Sequence, residues 1–180
     1  MDLPSNFKIF ARYNQRMNDQ LMRVCEQLTT QQLHQPTGAF FPTVMDHWNH
    51  LLFGDLIMLR RLVDNGVVNI DAQTMASLPV ARTVNDSFAS NLTELRALRA
   101  LVDRIFLDFT HELTPEMCNR PIRYTTTEGQ VLERDLGAFC QHLFNHQTHH
   151  RGQLTGVLSQ FGLDFGCTDL PVIVPDGDRD

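Results

Sequence analysis

The chain has 180 residues, 42% of them hydrophobic, which is enough for one domain-sized core. Its 15 basic and 21 acidic residues give a formal net charge of -6, which disfavours nucleic acid and anionic membranes as partners. No window approaches ~18 uncharged apolar residues, and Met1 to Phe10 lacks the basic-then-apolar pattern of a signal peptide, so the expectation is a cytoplasmic protein without a membrane span.

The first predicted helix runs from Asn6 to Leu28, after Pro4, with Ser5 or Asn6 as its cap. Phe7, Phe10, Tyr13, Met17, Leu21, Val24 and Leu28 recur along it at steps of three and four. Thr29 to Pro42 reads as a connection punctuated by Gly38 and Pro42, with one short turn around Gln31 to Leu33. The second helix, Thr43 to Asp64, has Thr43 as N-cap and Asp46 in its first turn, where a carboxylate meets unpaired amides. Phe41 just before it is placed to staple onto that first turn. Asn65-Gly66 ends the helix, Gly66 being free to turn left-handed.

Val67 to Val84 shows no helical period and reads as a long link. The third helix spans Asn85 to Phe109, with a stripe of Phe88, Leu92, Leu95, Val102, Ile105, Phe106 and Phe109. Thr114-Pro115 interrupts the chain. Between Pro121 and Glu133, apolar and polar residues alternate on either side of Glu128-Gly129, which predicts a small hairpin. The fourth helix spans Arg134 to Phe161 and stops at Gly162. Gly152 and Gly156 share one of its faces at a cost of roughly 1 kcal/mol each, which points to a close helix–helix approach, as between two subunits. The tail after Phe165 is expected to be irregular and loosely packed, with frayed acidic residues at its end. The expected fold is all-α: one four-helix-bundle domain over residues 1–180, with two long connections and a small β-hairpin before the last helix.

Cys25, Cys118, Cys140 and Cys167 form no C-x-x-C pair, so free thiols are expected rather than a zinc ribbon or redox pair. The eight histidines carry more information. A helical histidine is ordinarily a surface or satisfied core residue. Here six fall on the second and fourth helices only: His47 and His50 on one, His142, His146, His149 and His150 on the other. His146 and His150 are four apart, one turn from each other on one face, with His142 a further turn back. His149 points about 100° away from His150. Burying several unpartnered imidazoles is costly, and a divalent cation bound between the two helices removes that cost. Spacing alone does not choose among His47, His50, His142, His146 and His150. Asp55, five residues after His50, is a candidate partner behind the site.

The stretch Asn145-His146-Gln147-Thr148-His149-His150-Arg151-Gly152-Gln153 resembles the signature helix of the DinB family of metal-binding four-helix bundles. His47-Trp48-Asn49-His50-Leu51-Leu52-Phe53-Gly54-Asp55 is similar to that family's second helix, with an asparagine–histidine pair followed five residues later by aspartate. Tyr13-Asn14, Pro121-Ile122-Arg123-Tyr124 and Gly166-Cys167-Thr168-Asp169-Leu170 extend the resemblance over nearly the whole chain. The resemblance implies a metal triad of His50, His146 and His150, with His47, His142 and His149 as neighbours. It also implies a homodimer and, as candidate chemistry, a metal-dependent transfer or isomerisation using a low-molecular-weight thiol. The sequence departs from the family at Gly54, where many members carry a bulkier residue, so a wider pocket is expected.

Three histidines leave a coordination position open, which suits catalysis better than a closed structural site. Such a donor set suits zinc or nickel first, and also iron, cobalt or manganese. Metal-assisted hydrolysis ranks lower, because no H-E-x-x-H glutamate supplies a base. A non-catalytic metal-binding or stress-response role is the reading from a different class.

Overall fold

The computed structural model describes residues 1–175, so the acidic end of the tail lies outside the described residues. Four long helices form the frame: α1 (Leu3–Cys25), α3 (Val44–Asp64), α5 (Leu92–Glu112) and α7 (Leu136–Gln160). Between them lie the short helices α2 (Thr30–Leu33), α4 (Ala72–Ser77) and α6 (Pro115–Cys118), and α8 (Leu170–Ile173) follows α7. Strands β1 (Pro121–Thr125) and β2 (Val131–Asp135) pair antiparallel, with Tyr124 opposite Leu132, as the expected hairpin. Packing closes a ring: α1 against α5 and α7, and α3 against α5 and α7. Phe7, Met17, Leu21, Trp48, Leu51, Leu95, Phe106, Phe139 and Leu154 fill its interior and are all nearly inaccessible. The largest share of the stability comes from burying these apolar faces, at roughly 25 cal/mol per Å² removed from water.

The start of α3 follows local rules. The Thr43 side chain accepts from the Asp46 amide at 3.1 Å, while Asp46 accepts from the Thr43 amide at 3.1 Å, a reciprocal capping box. Phe41 does fold onto this turn, edge-on to His47 at 5.4 Å between ring centres. At the other end Gly66 has φ +65°, the left-handed turn that ends the helix. There the Asn65 side chain donates to Arg123 O at 2.9 Å and accepts from Arg123 N at 3.0 Å, which docks the hairpin onto the end of α3.

Several boundaries differ from the sequence expectation. Helix α1 begins at Leu3, because the Asp2 carboxylate accepts from Ser5 N and caps it earlier, and it ends at Cys25. The link after α3 contains α4, capped by Asp71. Helix α5 starts at Leu92 rather than Asn85. The Asn49 side chain accepts from the amides of Phe88 and Ala89, at 2.7 and 3.0 Å, and so holds that stretch extended against α3. Asn91 then caps the helix at Glu94 N. The tail is fastened rather than loose: Tyr13 donates to Thr168 O at 2.8 Å, and Gln20 donates to the carbonyls of Phe165 and Cys167 at 2.6 and 2.9 Å. Gly152 and Gly156 face open space among the described residues: a Cβ at either would meet no atom within 4 Å. All four cysteines are free thiols, and only Cys167 is exposed.

Candidate metal centre

Helices α3 and α7 carry six histidines, and three of them converge across the contact between the two helices. Ligand atoms of His50, His146 and His150 lie within 4.8 Å of one another. The His50 and His150 Nε2 atoms are 3.0 Å apart, and the ring centres of His146 and His150 are 4.4 Å apart. Two nitrogens on one tetrahedral zinc ion stand roughly 3.3 Å apart for bonds of about 2.0–2.1 Å, so small ring movements fit these residues to a single divalent ion. The Nδ1 atoms of His50 and His146 are buried without a hydrogen-bond partner. An unpartnered buried imidazole is what a bound cation relieves.

The surroundings keep the rings neutral. Burial, and then the nearby His150, push His50 down to about 4. The same two causes in the same order push His146 down to about 3. Burial also lowers His150, against the opposing pull of Gln153. Neutral imidazoles carry the free lone pair that a cation needs. Gln153 fixes which nitrogen of His150 carries it. The Gln153 Oε1 atom lies 2.7 Å from His150 Nδ1, and an amide oxygen only accepts. The hydrogen therefore sits on Nδ1, and the lone pair on Nε2 faces His50. The Phe41 ring stacks on His50 at 4.0 Å and shields it from water.

Gly54 explains how His146 reaches the site. A Cβ at position 54 would lie 2.3 Å from His146 Cε1 and 2.8 Å from Nδ1. The missing side chain does not widen the pocket, as the sequence had led us to expect; the imidazole of His146 occupies that space.

The remaining histidines do not join the triad. His47 is 2% exposed, with neither ring nitrogen hydrogen-bonded. His142 stands a turn from His146, their ring centres 6.2 Å apart. His149 is exposed, its Nε2 3.3 Å from the Gln153 amide nitrogen. Asp55 corrects an expectation. Five residues along a helix is about 500°, so its carboxylate points roughly 140° away from His50. It is fully buried and pairs with Arg99 at 2.5 Å. Arg99 also meets Asp103 at 3.0 Å. Asn14 and Asn18 donate to that same Asp103, and Arg151 donates to Asn14 and Gln147. This charge-balanced network joins α1, α3, α5 and α7 directly behind the triad.

A cleft of about 520 Å³ opens beside His146, between α3, α7 and the hairpin, with Gly54 and His142 in its wall. No carboxylate lines it among the described residues. A larger cavity of about 740 Å³ lies beyond Tyr124 and Arg61 and contains no histidine. Sequence reasoning missed Phe41 as a cover, Gln153 as an orienting partner and Gly54 as a seat. Two signals existed: Gln153 stands three residues from His150, and a glycine inside a helix carries a cost that needs a reason. No helix among the described residues is long and apolar enough to cross a membrane.

Comparisons with known proteins agree with this architecture. The model of the DinB family matches residues 4–174. The chain is similar to protein DinB of Bacillus subtilis (strain 168), 24% identical over 163 residues, spanning 91% of this chain and 90% of that protein. It is also similar to the crystal structure of a DinB-like protein from Bacillus cereus ATCC 10987, with a TM-score of 0.59 and 19% identity. That likeness covers 92% of this chain and 94% of the other, and it concerns the fold.

Proposed function

The chain belongs to the DinB family, and from that premise we propose that it binds one divalent metal ion through His50, His146 and His150 and uses it in an S-transferase-like reaction with a low-molecular-weight thiol. The carrying observation is a cluster of three neutral imidazoles with no fourth protein ligand among the described residues, one of which, His146, lines a cleft. Zinc or nickel suits this donor set first, with iron, cobalt and manganese as the other candidates. A divalent ion supplies one thing to the chemistry: a thiol bound to it is a thiolate near neutral pH.

The protein's own residues do the rest. Gln153 holds the His150 tautomer. Phe41 keeps water from one side of His50, and Gly54 admits the His146 ring. The buried network behind α7 fixes the helix that carries two of the three rings. The lack of a carboxylate in the cleft among the described residues favours a thiol nucleophile over water, since hydrolysis needs a base near the open position. Cobalt substitution tests the reading. Adding a small thiol to the cobalt-loaded protein should produce a sulfur-to-cobalt charge-transfer band. A metal that binds in unit stoichiometry but gives no such band with any thiol points to the non-catalytic metal-binding role.

We also propose a homodimer built on the open face of Gly152 and Gly156, next to Phe40, which is 85% exposed. Light scattering should give twice the chain mass, and Gly156→Glu should halve it. A wild-type monomer at tens of micromolar overturns the dimer.

A further inference from the structure

One face of α3 carries His50, Gly54, Ile57 and Arg61, spaced four, three and four apart, so they form a single stripe. That stripe runs from the triad along the cleft. Arg61 lies at the far end, in the wall of both the 520 Å³ cleft and the 740 Å³ cavity beyond it. Its guanidinium donates to Thr125 O at 2.9 Å and sits over the Tyr124 ring at 4.7 Å. It is half-buried, yet no carboxylate pairs with it among the described residues; Asp64, three residues on, is taken by Arg60 at 2.9 Å. A partly desolvated cation without a counter-charge is costly unless a ligand provides one. Among the described residues, only its Nη2 makes a hydrogen bond, which leaves Nε and Nη1 to donate. Phe53, Ile57, Met58 and Phe139 give the cleft an apolar floor, with Thr126, Thr127 and Arg134 of the hairpin side also in its wall.

We propose that this cleft selects a ligand with an apolar stem and a carboxylate head, the head on Arg61 and the other end at the histidine triad. The inference rests on the reading of the triad as a thiol-accepting metal centre. A carboxylate rather than a phosphate follows from the charge: Arg61 is the half-buried guanidinium and already spends one donor on Thr125, while Arg134, the other arginine of the cleft wall, is exposed and donates to Glu133 O. The distance between His50 and Arg61 is about 16 Å of helix axis, and the long arginine side chain leans back over part of it. A stem of octanoate length covers the remainder.

Calorimetry on the zinc-loaded protein with 8-mercaptooctanoate, 8-mercaptooctanol and octanoate tests it. The mercapto acid should bind roughly tenfold or more tighter than the mercapto alcohol, the worth of a charged hydrogen bond. Arg61→Gln should erase that ratio while zinc content and melting temperature hold, and Arg61→Lys should restore part of it. Equal binding of the mercapto acid and the mercapto alcohol to wild type overturns the proposal, as does no binding of any of the three. The thiol reading is judged by a separate ratio, mercapto acid against octanoate. If those two bind equally while the acid still beats the alcohol, Arg61 stands and the thiol chemistry falls.

Discussion

Replacing Gly54 with alanine separates the metal centre from the fold that carries it. The new Cβ would lie 2.3 Å from His146 Cε1, whereas ordinary contact begins near 3.4 Å, so the ring must retreat by at least about 1.1 Å. Metal–nitrogen bonds tolerate about 0.2 Å, so a ring displaced that far no longer binds the ion its two partners hold. Supporting-residue changes cost about 10–100-fold in metal affinity, and loss of a ligand costs more, so we expect at least ~100-fold. With free zinc held at 100 times the wild-type Kd, metal binding stabilises the wild type by about 2.7 kcal/mol and the variant by about 0.4 kcal/mol. For a chain of this size that difference is roughly 5–9 °C in melting temperature. The metal-free protein should respond the opposite way. Alanine in a helix interior is worth about 0.5–1 kcal/mol over glycine, and only the far end of a flexible side chain stands in the way. Melts with zinc and with EDTA, on wild type and Gly54→Ala, give all four numbers. The reasoning is wrong if Gly54→Ala keeps wild-type zinc affinity, or if its metal-free melt drops while the zinc-induced rise persists.

His50→Ala and His150→Ala should each empty the site after dialysis and leave helical content unchanged, while His149→Ala, on the exposed side, should retain its metal; the reverse pattern would show that the wrong face of α7 was assigned. Without metal, His50 and His146 titrate near 4 and 3, well below the ordinary imidazole value near 6.5, because burial opposes their charge. The unfolded chain therefore takes up protons first, so the metal-free fold has its full stability above about pH 6.5 and loses it progressively as pH falls toward 4 and 3. Chemical denaturation in EDTA between pH 7.5 and 4.5 should show this decline, and a flat profile would contradict it. Arg99→Met leaves Asp55 and Asp103 buried without their cation and should cost about 3–5 kcal/mol in urea unfolding. A loss below about 1 kcal/mol would show that water or a neighbour replaces the guanidinium.

The sequence by itself determined whatever depends on near neighbours along the chain. Apolar residues at steps of three and four marked the four long helices. Thr43 with Asp46 marked a helix start, and Gly66 and Gly162 marked two ends. The four-residue spacing of His146 and His150 placed two rings on one face, and a nine-residue family motif singled out His50. Tertiary structure decided the rest, because each remaining feature joins residues far apart in sequence. Asn49 holds Phe88 and Ala89 out of the helix their apolar pattern implied. Asp55 pairs with Arg99 on another helix instead of supporting His50, since the turn of α3 aims its carboxylate away from that ring. Gly54 is empty so that a ring 92 positions later can enter, and no local rule reads that from a glycine. The hairpin packed against α3 half-buries Arg61, and among the described residues no carboxylate pairs with it. Spacing places side chains on a face; only packing of distant elements sets what each face meets.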